Sequence, residues 1–371
     1  MVRVLWIAPN PNFYKLRFLE RLAARGVLDI TVLCGDVRDS EGHPAFDPSS
    51  QLKRIDLPVD KSRFALSVGV YRIFMSQIRT GAYDVVLLPT EKKHIPLILF
   101  AYIMRWVFRF RLLSYAHPTL RSSKGITTGW NRFLSRVLYM IYDGVVFYTE
   151  QSYRWAVASA LISDRKASFA NNTIDTESVR EAYSFSVNET EPKRLLFIGR
   201  LVPSKRLDML FQCFGIAQSW LPGIQLDIIG DGPLASEVTS QVESNRAIHW
   251  HGAISDEAKI ATHMSRAHLV IVPGHSGLSI VHAFCYGKPY VTMADSVSEH
   301  PPEISYLEDG KNGMLLSRTP SMNVARMLKL LASRREYAAM CRSAYSTADR
   351  LDVRRWCEQI ETALLRLGVA K

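Results

Sequence analysis

Residues 272–289 read VPGHSGLSIVHAFCYGKP. An apolar run ends at Val272, a loop of small residues follows, and a helix starts near Ser279. That helix stops at Gly287, and Pro289 leads into the next apolar run, Tyr290–Met293. The first N–H groups of such a helix have no partner within it, so they offer a place for a phosphate or for sugar hydroxyls. Strand, turn, helix and strand in that order make one unit of a parallel α/β sheet.

The same unit recurs along the chain. Expected strands are Val2–Ile7, Ile30–Cys34, Val85–Leu88, Leu112–Tyr115, Gly144–Tyr148 and Ala167–Ala170. They resume at Arg194–Ile198, Gln225–Ile229, Ile248–His251, Leu269–Val272, Tyr290–Met293 and Gly313–Leu316. Most are apolar throughout, as strands covered on both faces must be. The polar segment 171–192, NNTIDTESVREAYSFSVNETEP, interrupts the series. The expected fold class is therefore α/β, with two doubly wound Rossmann-like domains facing a cleft. The first spans 1–170, a linker spans 171–192, and the second domain spans 193–342. A helical tail follows over 343–371, with Trp356, Ile360, Leu364 and Leu367 at helical spacing. In such sheets ligands bind outside the carboxyl ends of the strands. There is no internal repeat or low-complexity tract.

Composition narrows the class. The chain has 371 residues, 47% of them hydrophobic and 22% charged, which is globular rather than disordered. No stretch reaches the roughly 20 apolar residues of a membrane span. Residues 1–7, MVRVLWI, read as a buried first strand rather than a signal peptide. The sequons at Asn171 and Asn188 then carry no meaning. Five cysteines (34, 213, 285, 341, 357) are odd in number and lack C-x-x-C spacing, which fits a reducing compartment and no structural zinc. A cytoplasmic protein is expected.

The net charge of +11 is uneven. Residues 1–190 hold 25 Lys+Arg against 17 Asp+Glu, and residues 191–371 hold 21 against 18. Between 91 and 136 there are nine bases and one acid, Glu91. Such a patch seeks phosphate on nucleic acid, anionic lipid or a phosphorylated substrate. Apolar, aromatic residues fill 94–109 and 130–142, where Arg105 and Arg109 share a helical face and Arg132 and Arg136 recur. Basic-aromatic helices of this kind suit an anionic membrane surface; a core helix with a solvated rim fits as well. No nucleic-acid-binding signature is present, so nucleic acid is disfavoured.

Further motifs follow strand ends. Gly199 and Arg200 close the run Leu195–Ile198, and Lys205 comes five residues after Arg200. Arg200 offers a planar fork to a diphosphate and Lys205 a compact charge, although a solvated loop with ordinary bases fits the spacing too. Ile228-Ile229-Gly230-Asp231-Gly232-Pro233 and His251-Gly252-Ala253-Ile254 are weak signals alone. Pro302-Glu303-Ile304 and Asp309-Gly310-Lys311-Asn312-Gly313 lie downstream.

Taken in order, these motifs resemble the nucleotide-sugar-binding domain of glycosyltransferase family 4, retaining enzymes of the GT-B fold. The likeness covers about residues 193–316. Asn171–Asp175 is similar to the family's P-N-G-V-D junction, with Asn172 in the glycine slot. The resemblance implies that Arg200 and Lys205 grip the donor diphosphate and stabilise the leaving group. It implies that Gly199 lets the donor close to the backbone. Gly277, Leu278 and Ser279 would offer amides to the sugar and diphosphate, with Ile254 beside the base and Glu303 at the family's P-E step. His117, ending Leu112–Ala116, resembles the acceptor-side histidine, with Pro118 where the family has Asp; a surface turn histidine is the alternative. Tyr14 and Lys15, in the place of a glycine-rich loop, and Arg121 and Lys124 are acceptor-side candidates. The family pattern of Glu, seven residues, Glu falls here on Gly274 and His282. The second Glu binds ribose hydroxyls, which a neutral imidazole also does; a capped helix histidine is the other reading. The first faces the reacting sugar, where His275 or the main chain takes over.

The expected function is transfer of a hexose from a nucleotide diphosphate sugar, UDP or GDP, to a glycan or lipid-linked glycan. The expected setting is bacterial polysaccharide or lipopolysaccharide synthesis, peripheral on the cytoplasmic face of the inner membrane. No metal or other cofactor is expected. A non-catalytic GT-B subunit serving a partner enzyme is the alternative, and a sugar-nucleotide epimerase a third reading. A nicotinamide enzyme is disfavoured, since no G-x-G-x-x-G follows Ile7 or Ile198.

Overall fold

The computed structural model describes residues 1–9, 13–35, 52–60, 63–120, 129–294 and 301–368, with the backbone alone at 13–15. The chain forms two units, Met1–Asn172 with Val353–Lys371, and Thr173–Asp352.

The first unit runs β1 (Val2–Ala8), α1 (Phe13–Ala24), β2 (Leu28–Cys34), β3 (Lys53–Asp56), α2 (Val68–Thr80), β4 (Val85–Leu87) and α3 (Ile95–Phe108). It continues with β5 (Arg111–Ala116), α4 (Gly129–Ile141), β6 (Gly144–Phe147), α5 (Glu150–Ala158) and β7 (Ala167–Phe169). Its sheet is parallel, in the order β3-β2-β1-β4-β5-β6-β7. The strand order reverses between β1 and β4, the crevice where open α/β sheets take ligands. β3 was not among the expected strands. It reads KRID, with no apolar run, because an edge strand is held by backbone pairing to β2 and by an exterior ion pair, Lys53 Nζ to Asp29 at 2.8 Å.

The second unit runs α6 (Thr176–Ala182), β8 (Arg194–Ile198), α7 (Leu207–Trp220), β9 (Gln225–Ile229), α8 (Ala235–Ser244), β10 (Ile248–Trp250) and α9 (Glu257–Arg266). Then come β11 (Leu269–Ile271), α10 (Ser279–Cys285), β12 (Tyr290–Met293), β13 (Gly313–Leu316), α11 (Pro320–Ala332) and α12 (Arg334–Arg350). Its parallel sheet has the order β10-β9-β8-β11-β12-β13, reversing between β8 and β11. Two parallel Rossmann-like sheets of seven and six strands give the GT-B architecture.

Within the segment 171–192, α6 sends Val179 into the second core. The helical tail is two helices. α12 packs Tyr337, Cys341 and Ala344 into the second core. After Leu351 and Asp352 the chain enters α13 (Val353–Gly368), which belongs to the first unit. There Trp356 is 1% exposed, 4.5 Å from the Phe18 ring, and its indole N–H donates to the Tyr115 hydroxyl at 3.0 Å. Ile360 and Leu364 join the same core, and Arg25 makes a fork on Glu361 at 2.7 and 3.1 Å.

Candidate active site

The reversal between β8 and β11 sets the loops after these strands side by side. Gly199 leaves β8 at φ +154°, and its N–H donates to the Ile229 carbonyl at 3.0 Å. The loop 230–233 backs onto it: a Cβ at Gly230 would lie 1.9 Å from the Gly199 oxygen. The motif I-I-G-D-G-P is thus the floor beneath the G-R loop.

Lys205 closes a single 3-10 turn, Pro203–Lys205, and Arg206 follows in the left-handed region, clamped on Asp208 at 2.9 Å. The loop after β11 hydrogen-bonds to this turn through main-chain atoms. Gly274 N–H donates to Lys205 O at 3.0 Å and His275 N–H to Ser204 O at 2.8 Å. A Cβ at Gly274 would lie 2.0 Å from the Ser204 oxygen, so the position admits no side chain without moving the turn. The space that a side chain would take at 274 is filled by the turn that carries Lys205. The Lys205 ammonium donates to the His275 carbonyl at 2.6 Å. Burial, and after it the Arg200 charge, lowers its pKa to about 8. Arg200 and His275 are exposed.

A hydroxyl network stiffens the loop from below. Ser276 donates to Gly274 O at 2.9 Å and lies 3.0 Å from Thr292 Oγ1, while Tyr290 OH contacts Ser276 at 3.0 Å and Ser279 at 2.7 Å. Gly277 faces the next loop, where a Cβ would sit 3.3 Å from Pro301 Cγ and 4.0 Å from Glu303 Oε2. Glu303 is buried, Leu278 and Ile254 are half-buried against the second core, and Ser279 opens α10. His282, one turn into α10, meets a carboxylate from another element. Its Nε2 lies 2.8 Å from Glu257 Oε1, which also accepts from Tyr286 OH at 2.5 Å. Sequence reading gave no role to Ser276, Tyr290, Thr292, Glu257 and Tyr286, because their partners meet only in the fold.

Among the described residues one group has metal-ligand geometry. Ligand atoms of Asp227, His251 and His263 lie within 4.8 Å of one another. Asp227 accepts from Arg194 at 2.9 Å and pairs with His251 Nε2 at 2.8 Å, and the His251 and His263 rings are 4.2 Å apart. The Arg194 charge opposes a second cation here. The chain Arg194–Asp227–His251 instead ties β8, β9 and the end of β10 together, with His263 of α9 against it.

In the first unit a cavity of about 130 Å³ opens where β1 and β4 part, walled by Trp6, Leu87, Tyr115 and Tyr148 with Glu91 and His94. His94 is 1% exposed, and burial above all lowers its pKa to about 4. His117 follows β5, half-buried, with its ring edge-on to Tyr148 at 4.7 Å and its carbonyl accepting from Tyr139 OH at 2.7 Å. Arg121 and Lys124, and the side chains of Tyr14 and Lys15, lie outside the described residues. Glu91, His94, Trp6 and Tyr148 had no site role as sequence, since strand ends converge only in the fold.

Helices α3 and α4 carry exposed apolar residues: Ile103, Trp106 (68%) and Val107, then Trp130 (67%), Phe133 and Met140. Arg109, Arg132 and Arg136 are exposed beside them. Two of the expected surface bases are otherwise engaged. Arg105 and Arg111 pair with Asp143 at 2.9 and 3.2 Å, because Asp143 sits at the start of β6 between them. No helix among the described residues is long and apolar enough to cross a membrane.

Residues 192–333 match the family model described as Glycosyl transferases group 1. An exopolysaccharide phosphotransferase of Streptomyces coelicolor is 26% identical over 193 residues, which is 51% of this chain and 19% of that protein. The chain therefore spans about a fifth of that relative. The solved structure of Anabaena HepE in complex with UDP-glucose superposes with a TM-score of 0.67 at 17% identity, covering 98% of this chain and 100% of that one. The pneumococcal O-GlcNAc transferase GtfA, in complex with UDP and GlcNAc, gives 0.69 at 12% identity with 99% of each chain covered. By its sheet orders and these superpositions the chain has the GT-B fold, and residues 192–333 of its second unit are similar to the group 1 glycosyl transferases.

Proposed function

We propose that the chain is a retaining enzyme that moves a hexose from a UDP-linked donor to a hydroxyl of a glycan or lipid-linked glycan at a membrane surface. The observation that carries this reading is Lys205. Its ammonium is partly desolvated, lies beside Arg200, and is aimed over the loop after β11 by the His275 carbonyl. Two cations set side by side suit a diphosphate. When the bond between the anomeric carbon and the diphosphate oxygen breaks, its electron pair stays on the diphosphate. Arg200 and Lys205 meet that growing charge. The acceptor hydroxyl bonds to the anomeric carbon on the same face and gives its proton to the departing phosphate oxygen. UDP is favoured because it is the nucleotide held by the HepE and GtfA structures.

The cavity beside β1 and β4 suits an acceptor sugar, since aromatic walls take the ring's apolar face and Glu91 and His94 its hydroxyls. The exposed tryptophans of α3 and α4, rimmed by Arg109, Arg132 and Arg136, suit an anionic leaflet, where each base contributes on the order of 1 kcal/mol. The membrane face is the cytoplasmic one, and a polysaccharide or lipopolysaccharide precursor is the acceptor class. A second reading, a non-catalytic subunit, draws on the filled position at Gly274, where the family pattern has a carboxylate.

UDP release from UDP-glucose and UDP-GlcNAc, measured with polyprenyl-linked acceptors in anionic vesicles, tests both. Turnover by the wild type that is lost in Arg200→Ala supports transfer. Donor binding without turnover over the acceptor set supports the subunit. Failure to float with anionic vesicles at low salt would remove the membrane from the proposal.

A further inference from the structure

We infer that Glu257 is the carboxylate that receives the ribose hydroxyls of the donor, held in place by His282 and Tyr286; this rests on the nucleotide-sugar reading above. The pair joins two elements of the second unit, α9 and α10. Glu257 opens α9, three residues after Ile254, on the loop that follows β10. His282 lies one turn into α10, whose leading loop carries His275, the carbonyl that holds the Lys205 ammonium. A nucleotide with its diphosphate at Lys205 and its base at Ile254 has its ribose, with two adjacent hydroxyls, between those points. The carboxylate–imidazole pair ties the start of α9 to α10.

The geometry explains why a histidine serves at 282. Imidazole Nε2 at 2.8 Å and the Tyr286 hydroxyl at 2.5 Å converge on one Glu257 oxygen. Burial first, and then the Glu257 charge, raise the Tyr286 pKa, so its hydroxyl stays a donor. A carboxylate has acceptor sites for about four hydrogen bonds, and these two donors meet at one of its oxygens. They fix its orientation. A glutamate at 282 would put a second carboxylate within hydrogen-bond distance of the first, and the two charges would repel. Glu257 and a glutamate at 282 are therefore alternatives, and this chain uses the former.

The test is a charge relocation read with UDP and 2′-deoxy-UDP. Glu257→Ala and the shape-conserving Glu257→Gln should each weaken UDP binding by on the order of tenfold, the loss expected for a hydrogen bond to a charged group. Both should also erase the preference for UDP over 2′-deoxy-UDP. His282→Glu alone should weaken UDP as well. The double variant Glu257→Ala/His282→Glu should regain affinity and the ribose preference to within a few-fold of wild type. Wild-type affinity and preference in a folded Glu257→Gln would overturn the inference alone, and so would a double variant no better than its parents. Wild type that binds none of UDP, GDP and ADP would overturn the nucleotide-sugar reading, and the inference with it.

Discussion

Gly274→Ala adds one methyl group at the most crowded point of the donor loop. The new Cβ would stand 2.0 Å from Ser204 O, 2.6 Å from Lys205 C and 2.8 Å from Lys205 Cα, all of them main-chain atoms. Contacts under 3.0 Å are essentially never tolerated, so turn and loop must separate by roughly 1 Å. Separation stretches the bonds Gly274 N to Lys205 O and His275 N to Ser204 O, and the ammonium bond of Lys205 to His275 O with them. Overpacking costs about 1–3 kcal/mol, and each weakened hydrogen bond up to about 1 more. A loss of roughly 2–4 kcal/mol lowers the melting temperature of a unit this size by about 5–15 °C. Calorimetry measures the first effect, and UDP titration should show weaker binding, since Lys205 moves with the turn. Gly274→Glu, which writes the family residue back, should be worse on both counts. An alanine variant that melts within about a degree of wild type and binds UDP equally well would refute the packing argument. A more active glutamate variant would refute it too.

Three further outcomes follow from single groups. Lys205, with its pKa lowered to about 8, is partly neutral above that pH, and a bound diphosphate holds the ammonium protonated, so binding takes up a proton there. UDP affinity should be level near pH 7, fall by about half at pH 8 and by about tenfold at pH 9; Lys205→Arg should remove that slope, and an unchanged slope would exclude Lys205 as its source. His268 is buried, with its pKa pushed down from 6.5 to about 4 mainly by desolvation, and its Nδ1 accepts the Arg194 N–H at 3.1 Å. The unfolded chain therefore binds the extra proton, so this stability is full above pH 6.5 and is lost as the pH falls towards 4. Urea unfolding of wild type should lose about 2–3 kcal/mol more than His268→Gln between pH 7 and 4.5, and equal losses would contradict the assignment. Trp356→Ala should cost the first unit about 3–5 kcal/mol, because it empties a fully buried site and strips the Tyr115 hydroxyl of a donor; an unchanged melt would mean that α13 is not part of that core.

The buried strands were legible because parallel strands covered on both faces must be apolar throughout, as Leu195–Ile198 and Leu269–Ile271 are. β3 was not, because Lys53–Asp56 is held by backbone pairing at an edge. The break between α12 and α13 was hidden too. Periodicity reports which face is apolar, not which core receives it, and Cys341 and Trp356 go to different ones. At the site, glycines and cations in motifs were readable from their spacing. The residues that support them were not. Tyr290 and Thr292 look like strand residues until Ser276 is found against them, and Glu257 looks like a helix start until His282 meets it. The His94 cavity belongs to the same class: Trp6, Leu87 and Tyr115 are far apart in the chain and adjacent only where the sheet order reverses.

The central claim is that Arg200 and Lys205 form a nucleotide-diphosphate site. A thermal-shift titration with UDP, GDP, ADP and their sugar conjugates, on wild type and on Arg200→Ala/Lys205→Ala, tests it most directly. UDP and a UDP-sugar at about a hundredfold excess over their dissociation constant should stabilise the wild type by about 2–3 kcal/mol and leave the double variant unmoved. No stabilisation by any nucleotide, or the same shift in the double variant, would contradict it.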